Sequence, residues 1–290
     1  VMNVAAVHLG AFKDVDEIAK AKAEIFLGIE PGGVALVNGD DVRLPLLRRF
    51  AEEADVPRFL TFGNAEGADA HCDQLVLHGS CSCLTTTILG EPMVVKIGAP
   101  GAHIAQNMLG VLAACKLVGA DLALAGLALA EVRAVKGRGE RHTIGAGDTK
   151  AVLIDESYNA NPTSMRAALA LLVAAPVKGA GRRIAVLGDM LELGATSAEL
   201  HGGLADAIVG QPIDTVFLSG PEMKNLQESL ANRVDCVHTA SIDELISQVH
   251  KKLRGGDVIM VKASLGMKFA ALVDDLLKAS TPQLQSSSGS

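Results

Sequence analysis

The segment VLIDESYNANPTSMRAAL, residues 152–169, contains an apolar run, a polar cluster and the beginning of a helix. The apolar run favours a buried strand. Asn161 followed by Pro162 is typical of a helix N-cap and its first helical residue. Beyond this cap one apolar helix face has the expected spacing and comprises Met165, Ala168, Leu169, Leu172 and Val173. The segment therefore predicts a strand that runs directly into a helix, with polar residues where the strand ends.

The same pattern continues to residue 261. Short β-branched runs predict strands at 150–154, 183–187, 215–218, 235–238 and 258–261, with helical patterns between them. Such alternation predicts parallel strands with crossover helices, an α/β Rossmann-like doubly wound sheet. Two pairs have capping-box spacing at helix starts, Thr196 with Glu199 and Ser241 with Glu244.

The first half of the chain is less regular. The predicted elements are a strand ending at His8, a helix at 15–27, a strand at 32–41, a helix at 44–53, a strand at 58–63, an antiparallel meander at 70–97 and two apolar helices within 109–132. Residues 136–148 are rich in glycine and charge, which predicts a domain junction. The polar tail at 281–290 is expected to be disordered.

Composition excludes several classes of function. The 290 residues carry a net charge of -7, which disfavours an electrostatic grip on nucleic acid or on an anionic membrane. Lys116 and Asp121 interrupt the most apolar region, so we expect no membrane insertion. Five cysteines, an odd number, favour reduced thiols in a cytoplasmic protein. Small molecules are therefore the expected partners.

Lys22 lies in a helix with an apolar stripe. At 100° per residue the stripe comprises Val15, Ile18, Ala19, Ile25 and Phe26, with Lys22 at its centre. A lysine on a buried stripe loses hydration, which favours the neutral amine that acts as a nucleophile or forms a carbamate. The alternative is that the Lys22 side chain extends past the stripe into solvent.

Three further positions have both a structural and a functional interpretation. His8 ends a predicted strand where a ligand could bind, or is simply hydrogen-bonded. His103 and Asn107 follow a glycine turn at a helix start that could bind a nucleotide. Arg138 lies between glycines, as a phosphate contact or as a solvated charge.

Metal and phosphate-loop motifs are also informative by their spacing. The residues His71, Cys72, His78, Cys81 and Cys83 lack paired CxxC spacing, so we reject a zinc site there. The chain contains no GxxxxGK[ST] motif and no GxGxxG following a strand.

The polar cluster of the opening segment favours a ligand site. Asp155 and Glu156 end a strand, where they could accept hydrogen bonds from ribose hydroxyls. Asn159 and Asn161 could serve phosphates or amides, and the only tyrosine, Tyr158, lies among them. In the alternative reading Asn161 is only a helix cap and the two acids are solvated. That reading explains Asn161, but it leaves the rest of the cluster unexplained.

Several motifs together resemble the Mur ligase family. They extend from residue 3 to residue 264 and are NVAAVHLGAF (3–12), AKAKAEIF (19–26), PGAHIAQN (100–107), VKGRGE (135–140), LIDESYNANPTSMRAAL (153–169), VLGDMLELG (186–194) and VKAS (261–264). The DESYNANP and GDMLELG motifs resemble most closely the family member that joins D-Ala-D-Ala to UDP-MurNAc-tripeptide.

The resemblance implies an ATP-dependent amide-bond ligase of bacterial peptidoglycan synthesis, cytoplasmic and monomeric, with ATP and Mg²⁺ as cofactors. It implies a carbamylated Lys22 and His8 at the metal, with His103, Asn107, Arg138, Asp155 and Glu156 at the nucleotide. Substrate contacts are implied for Tyr158, Asn159, Asn161, Asp189, Lys262 and Ser264. In this interpretation Glu156, rather than Asp155, contacts the ribose.

The resemblance also implies a domain organisation. Residues 1–140 correspond to the latter part of the central ATP-binding domain, and residues 141–280 to the C-terminal ligase domain. The family's P-loop and UDP-binding domain have no counterpart in these residues, so we expect little activity from this chain by itself. The chain departs from the family pattern at Ile104, which replaces an asparagine, and at Leu265, which replaces an arginine. The alternatives are a non-catalytic nucleotide-binding module and a sister Mur or folylpolyglutamate-type ligase.

Overall fold

A computed structural model of the chain describes residues 1–6 and 9–279. These residues form two compact units. Unit 1 comprises Val1–Arg133 and Glu192–Gly194, and unit 2 comprises Ala134–Leu191 and the chain from Ala195 onward. No helix in the described ranges is long and apolar enough to cross a membrane. The tail at 281–290 lies outside the described residues.

Unit 1 is built on a five-stranded sheet in the order β1-β2-β3-β4-β5. β1, β2 and β3 are parallel, and β3, β4 and β5 form the predicted antiparallel meander. The strands are β1 Ala35–Asn38, β2 Phe59–Gly63, β3 Ala70–Leu77, β4 Ser82–Ile88 and β5 Glu91–Ile97, and the helices are α1 Val15–Ala23, α2 Leu44–Glu53, α3 Ala102–Leu117 and α4 Leu122–Leu129.

Two predictions for unit 1 differ from the structure. The helix predicted at 15–27 ends at Ala23, and a 3₁₀ turn, Glu24–Gly28, follows it. No strand is assigned within residues 1–6, although the Val1 amino group donates to Leu36 O at 2.6 Å and Asn38 N donates to Val1 O at 3.0 Å. His8, predicted to end a strand, lies outside the described residues.

Unit 2 contains the predicted doubly wound sheet, in the order β10-β9-β8-β11-β7-β6. All five predicted strands are confirmed and run parallel to one another. The strands are β6 Glu140–Ile144, β7 Ala151–Glu156, β8 Arg183–Gly188, β9 Thr215–Ser219, β10 Asp235–Thr239 and β11 Val258–Lys262, and the helices are α5 Pro162–Ala174, α6 Ser197–Gly202, α7 Met223–Leu230, α8 Ile242–Lys252 and α9 Ala270–Lys278.

The strand order explains how helices cover both faces of this sheet. The chain moves in one direction across the sheet from β7 to β10 and then returns to β11, and right-handed crossovers therefore place α5 to α7 on one face and α8 on the other. α9 packs against α8. Phe217, Ile259 and Phe269 lie in the buried core that α8 and α9 cover.

Two local features of unit 2 were not predicted. Residues 136–148, predicted as a junction, include β6, which pairs antiparallel with β7. Its glycine-rich flanks obscure a strand in which only Ile144 is fully buried. The Thr196 side chain forms no capping hydrogen bond, since α6 continues from a preceding 3₁₀ turn, Gly194–Thr196. Ser241 does cap α8, accepting from Glu244 N at 3.2 Å.

Candidate functional site

The carboxyl edge of the unit 2 sheet holds a buried cation beside a carboxylate. Register places Lys262 of β11 opposite Glu156 of β7. Lys262 is 2% exposed and Glu156 8%, and their Nζ and Oε2 atoms are 3.3 Å apart. The same Nζ donates to Asn159 O at 2.9 Å. The lysine therefore fixes the DESYNANP loop, residues 155–162, to the neighbouring strand.

This environment disfavours the charge on Lys262. Burial lowers the pKa of Lys262, Glu156 opposes that shift, and the positive charge of Arg138 adds slightly to it. Because little water reaches the ammonium, its attraction to an anionic ligand is only weakly screened. A buried cation at a sheet edge is thus suited to stabilise negative charge on a bound substrate.

Arg138 and Tyr158 form a second pair at this edge. The guanidinium lies 4.2 Å from the centre of the tyrosine ring, and both side chains are exposed. Tyr158 N donates to Gly137 O at 3.1 Å, and a Cβ on Gly137 would lie 2.9 Å from the Tyr158 Cβ. Gly137, with φ of +75°, therefore permits the close approach that stacks the two side chains.

Other side chains of the DESYNANP loop shape the loop itself. Asp155 accepts hydrogen bonds from Ser157 N, Ser157 Oγ and Gly137 N at 2.6–3.0 Å. Asn161 caps α5, accepting from Ser164 N at 2.9 Å, as its position before Pro162 predicts. Asn159 remains exposed. Asp155 and Asn161 thus organise the loop, which presents Tyr158 and Asn159 outward.

Asp189 and Ser264 meet at the same edge. The Asp189 carboxylate accepts from Met223 N at 3.0 Å and Glu222 N at 3.3 Å, at the start of α7. Its backbone oxygen accepts from Ser264 N at 3.1 Å. Ser264 Oγ in turn accepts from Leu191 N at 2.9 Å. These bonds join the GDMLELG and VKAS segments within unit 2.

We expect the stability of the Asp189→Asn variant to increase, relative to that of the parent protein, as the pH rises. Burial raises the pKa of Asp189 above 3.8, although the two backbone amides oppose the shift. A carboxyl group with a raised folded-state pKa stabilises the fold while protonated and loses that contribution as the pH rises above its unfolded pKa.

Urea unfolding of both proteins from about pH 4 to 7 measures this difference. From about pH 4 to 7, the urea concentration at the unfolding midpoint of Asp189→Asn should increase relative to that of the parent. Glu228→Gln, on the exposed face of the same helix, is the control. A constant difference for Asp189→Asn would contradict the prediction.

In unit 1 the buried-stripe prediction for Lys22 is wrong. α1 buries Ile18, Ala19 and Ala23, whereas Lys22 is exposed. Because the 3₁₀ turn after Ala23 advances by about 120° per residue, Ile25 points outward while Phe26 remains buried, and Lys22 lies outside the buried face. The alternative, a side chain extending into solvent, is the one observed.

Three side chains at the start of α3 concern the candidate site, and two of them were predicted as nucleotide contacts. Gly101 occupies the N-cap, and His103 and Asn107 lie one turn apart on the exposed face. Gln106 turns toward the end of β1, where its Nε2 lies 2.7 Å from Asp40 Oδ2 and 3.2 Å from Asn38 Oδ1.

Asp40 is the centre of this unit 1 cluster, which the sequence interpretation missed. Its carboxylate also accepts from Asn64 N, Asn64 Nδ2 and Ala65 N at 2.7–2.9 Å. The available signal was the polar NGDD sequence, residues 38–41, directly after a buried strand.

Three side chains with potential metal-ligand atoms come together in unit 2. Over residues 1–6 and 9–279, the group with three ligand atoms within 4.8 Å of one another is Glu140, His142 and Asp155. Lys22 is exposed on α1, and His8 lies outside the described residues. The predicted metal role of both residues stays a prediction.

Comparison with known proteins gives consistent matches along the chain. Residues 1–115 match the Mur ligase middle domain, and residues 137–265 match the Mur ligase, glutamate ligase domain. The UDP-N-acetylmuramoyl-tripeptide--D-alanyl-D-alanine ligase of Rickettsia prowazekii is 29% identical over 94% of this chain and 59% of its own length. The ligase of that name from Escherichia coli is 34% identical over 77% of this chain and 47% of its own length.

A solved structure is similar to this chain along nearly its whole length. A crystal structure of MurF from Acinetobacter baumannii superposes with a TM-score of 0.83 and 27% identity, covering 96% of this chain and 58% of that one. The two matched regions are thus the middle domain and the glutamate ligase domain of Mur ligases, in that order along the chain. The chain belongs to the Mur ligase family, and it spans less than two thirds of the relatives it matches.

Proposed function

We propose that the protein containing this chain joins D-Ala-D-Ala to UDP-MurNAc-tripeptide at the expense of ATP, in peptidoglycan precursor synthesis in the bacterial cytoplasm. The observation that carries the proposal is the alignment of 94% of the chain with a ligase of that name. The buried Lys262 and Glu156 pair, at the sheet edge where ligands of such folds bind, supports it.

The proposed reaction has two chemical steps. The terminal carboxylate of the tripeptide attacks the γ-phosphorus of ATP, giving an acyl phosphate and ADP. The amine of D-Ala-D-Ala then attacks the acyl carbon, loses a proton, and expels inorganic phosphate to leave the amide. Negative charge develops on oxygen in both steps, so fixed positive groups lower both barriers.

Unit 2 residues have the chemistry for these steps. Arg138, stacked on Tyr158, offers an oriented set of N–H donors to phosphate oxygens. Glu156 pairs with Lys262 through its Oε2 atom. Its other carboxylate oxygen would accept a hydrogen bond from a ribose hydroxyl. Tyr158 and Asn159, which the loop exposes, would contact the substrates. Lys262 and Ser264 would hold the substrate from the sheet edge, and Asp189 would position Ser264.

The unit 1 residues proposed for the nucleotide have suitable side chains, whereas Lys22, proposed for the metal, requires a modification. His103 and Asn107 share an exposed helix face at the α3 start, which suits a contact with the base of a nucleotide. The proposed metal would be held by His8 and a carbamylated Lys22. The Lys22 ammonium has no acceptor for a cation until carbamylation gives it a carboxylate, so we derive no step through Mg²⁺.

Phosphate release tests the function. The gene product containing this chain should release phosphate from ATP only when both UDP-MurNAc-tripeptide and D-Ala-D-Ala are present. Arg138→Ala should raise the KM for ATP by about tenfold or more, through loss of a charge-assisted contact. The exposed neighbour Lys136→Ala is the matched control and should leave the KM unchanged.

Two results would contradict the proposal. ATP hydrolysis that ignores the tripeptide would favour a different ligase, and nucleotide binding without any turnover would favour a non-catalytic module. The 290-residue chain by itself has no GxxxxGK[ST] motif, and we expect it to release little phosphate. Robust turnover by that chain would overturn this last expectation.

A further inference from the structure

His201 on α6 is a fully buried histidine with both ring nitrogens engaged. It is 0% exposed. Nε2 lies 2.9 Å from Met190 N, and Nδ1 lies 2.7 Å from Ser197 O, one helical turn earlier. Burying a polar ring is costly unless its hydrogen bonds are made, and here both are made.

The partners define which nitrogen carries the proton. A backbone N–H can only donate, so Nε2 must accept from Met190. A carbonyl oxygen can only accept, so Nδ1 must donate to Ser197. His201 is therefore the neutral tautomer with its proton on Nδ1, and its helix holds the loop after β8 through one acceptor atom.

The loop after β8 binds Ser264 through two hydrogen bonds. Asp189 O accepts from Ser264 N on one side of Met190, and Leu191 N donates to Ser264 Oγ on the other. Met190 is thus the middle residue of a three-residue segment whose two outer residues both bind Ser264. Displacement of the Met190 amide would move both contacts.

The Leu191 contact also orients the Ser264 hydroxyl. Since Oγ accepts from Leu191 N, its own proton points away from Leu191. Among residues 1–6 and 9–279, the acceptor for that proton is Ala160 O at 3.4 Å, a long hydrogen bond. The hydroxyl proton is consequently held ready to donate to a ligand oxygen on the side of the DESYNANP loop.

We propose that His201 is a positioning residue of the site: by accepting from the Met190 amide it fixes residues 189–191 and so holds the Ser264 hydroxyl in a donating orientation toward substrate. The substrate part of this inference rests on the proposed function. The positioning part rests only on contacts within unit 2.

Two substitutions separate the two ring contacts. Asparagine places an amide near Nδ1, so His201→Asn keeps the donor to Ser197 and loses the acceptor for Met190. Glutamine reaches the position of Nε2, so His201→Gln keeps the acceptor for Met190 and loses the donor. The exposed His250, paired with Asp275, gives the control His250→Asn.

Amide hydrogen exchange of the 290-residue chain tests the positioning role without any catalysis. His201→Asn should speed exchange of the Met190 and Leu191 amides by about tenfold, whereas His201→Gln and His250→Asn should leave them near the parent rate. Circular dichroism confirms that each variant is folded. Unchanged Leu191 exchange in a folded His201→Asn variant would overturn the proposal, as would equal acceleration by both His201 substitutions.

Ligation kinetics of the whole gene product test the link to Ser264. His201→Asn should lower kcat/KM by about tenfold, and in a Ser264→Ala background it should have almost no further effect. Fully additive losses would overturn a role acting through Ser264. If the parent itself lacks ligation, the proposed function fails while the exchange result still decides the positioning role.

Discussion

Replacing Lys262 with methionine is expected to lower the free energy of unfolding by about 3 kcal/mol, since removing one partner of a buried ion pair leaves the other charge uncompensated. Glu156 would lose its cation in a place where it is only 8% exposed, and Asn159 O would lose its donor. Urea unfolding of the 290-residue chain measures the effect.

A double substitution separates stability from catalysis. Lys262→Met with Glu156→Gln removes both charges, so most of the lost stability should return, because a neutral pair carries no buried unpaired charge. Ligation by the whole gene product should stay impaired, since the cation at the sheet edge is gone. A Lys262→Met variant that keeps the parent stability would contradict the prediction that Lys262 stabilises the fold by compensating Glu156.

Replacing Asp257 with alanine is expected to cost about 3 kcal/mol of stability with no direct effect on ligand contacts. Asp257 is 1% exposed, at the sheet end opposite the site. Its carboxylate accepts from Arg182 N, Nε and Nη2 and from Arg254 N at 2.7–3.3 Å. Alanine leaves these donors unsatisfied at the starts of β8 and β11.

Asp214→Ala provides a matched control. Asp214 also accepts a backbone N–H at the start of β8, from Arg183 at 2.8 Å, but it is exposed. Water can replace its carboxylate, so the loss should be about 1 kcal/mol or less. Equal losses for the two variants in urea unfolding would contradict the importance of burial at Asp257.

Local sequence patterns were sufficient for most of the fold. Strands β7, β8, β9 and β11 are apolar runs buried on both faces, and such runs are recognisable without knowledge of their neighbours. The α5 start was predictable for the same reason, because Asn161 and Ser164 cap the helix within four residues. The edge strand β6 was missed because one of its faces lacks buried residues and glycines flank it.

Positions that depend on a change of helix type were not predictable. The stripe around Lys22 assumed a regular helix as far as Phe26, and the 3₁₀ turn after Ala23 breaks that geometry. Long-range polar contacts were equally hidden. Asp40 accepts a hydrogen bond from Gln106, which lies 66 residues away in sequence, and no local pattern around either residue predicts this contact. Of the candidate site, the part indicated beforehand is the polar cluster of the DESYNANP loop at the end of β7.

The position of β11 determines when this protein can fold during its synthesis. β11 lies between β8 and β7, yet it is the last strand of the sheet to leave the ribosome. Until residue 262 has emerged, β7 has only its antiparallel neighbour β6, and the two halves of the sheet have no common strand. Completion of this domain is therefore a late, long-range event, and nascent chains with exposed apolar edges must wait for it.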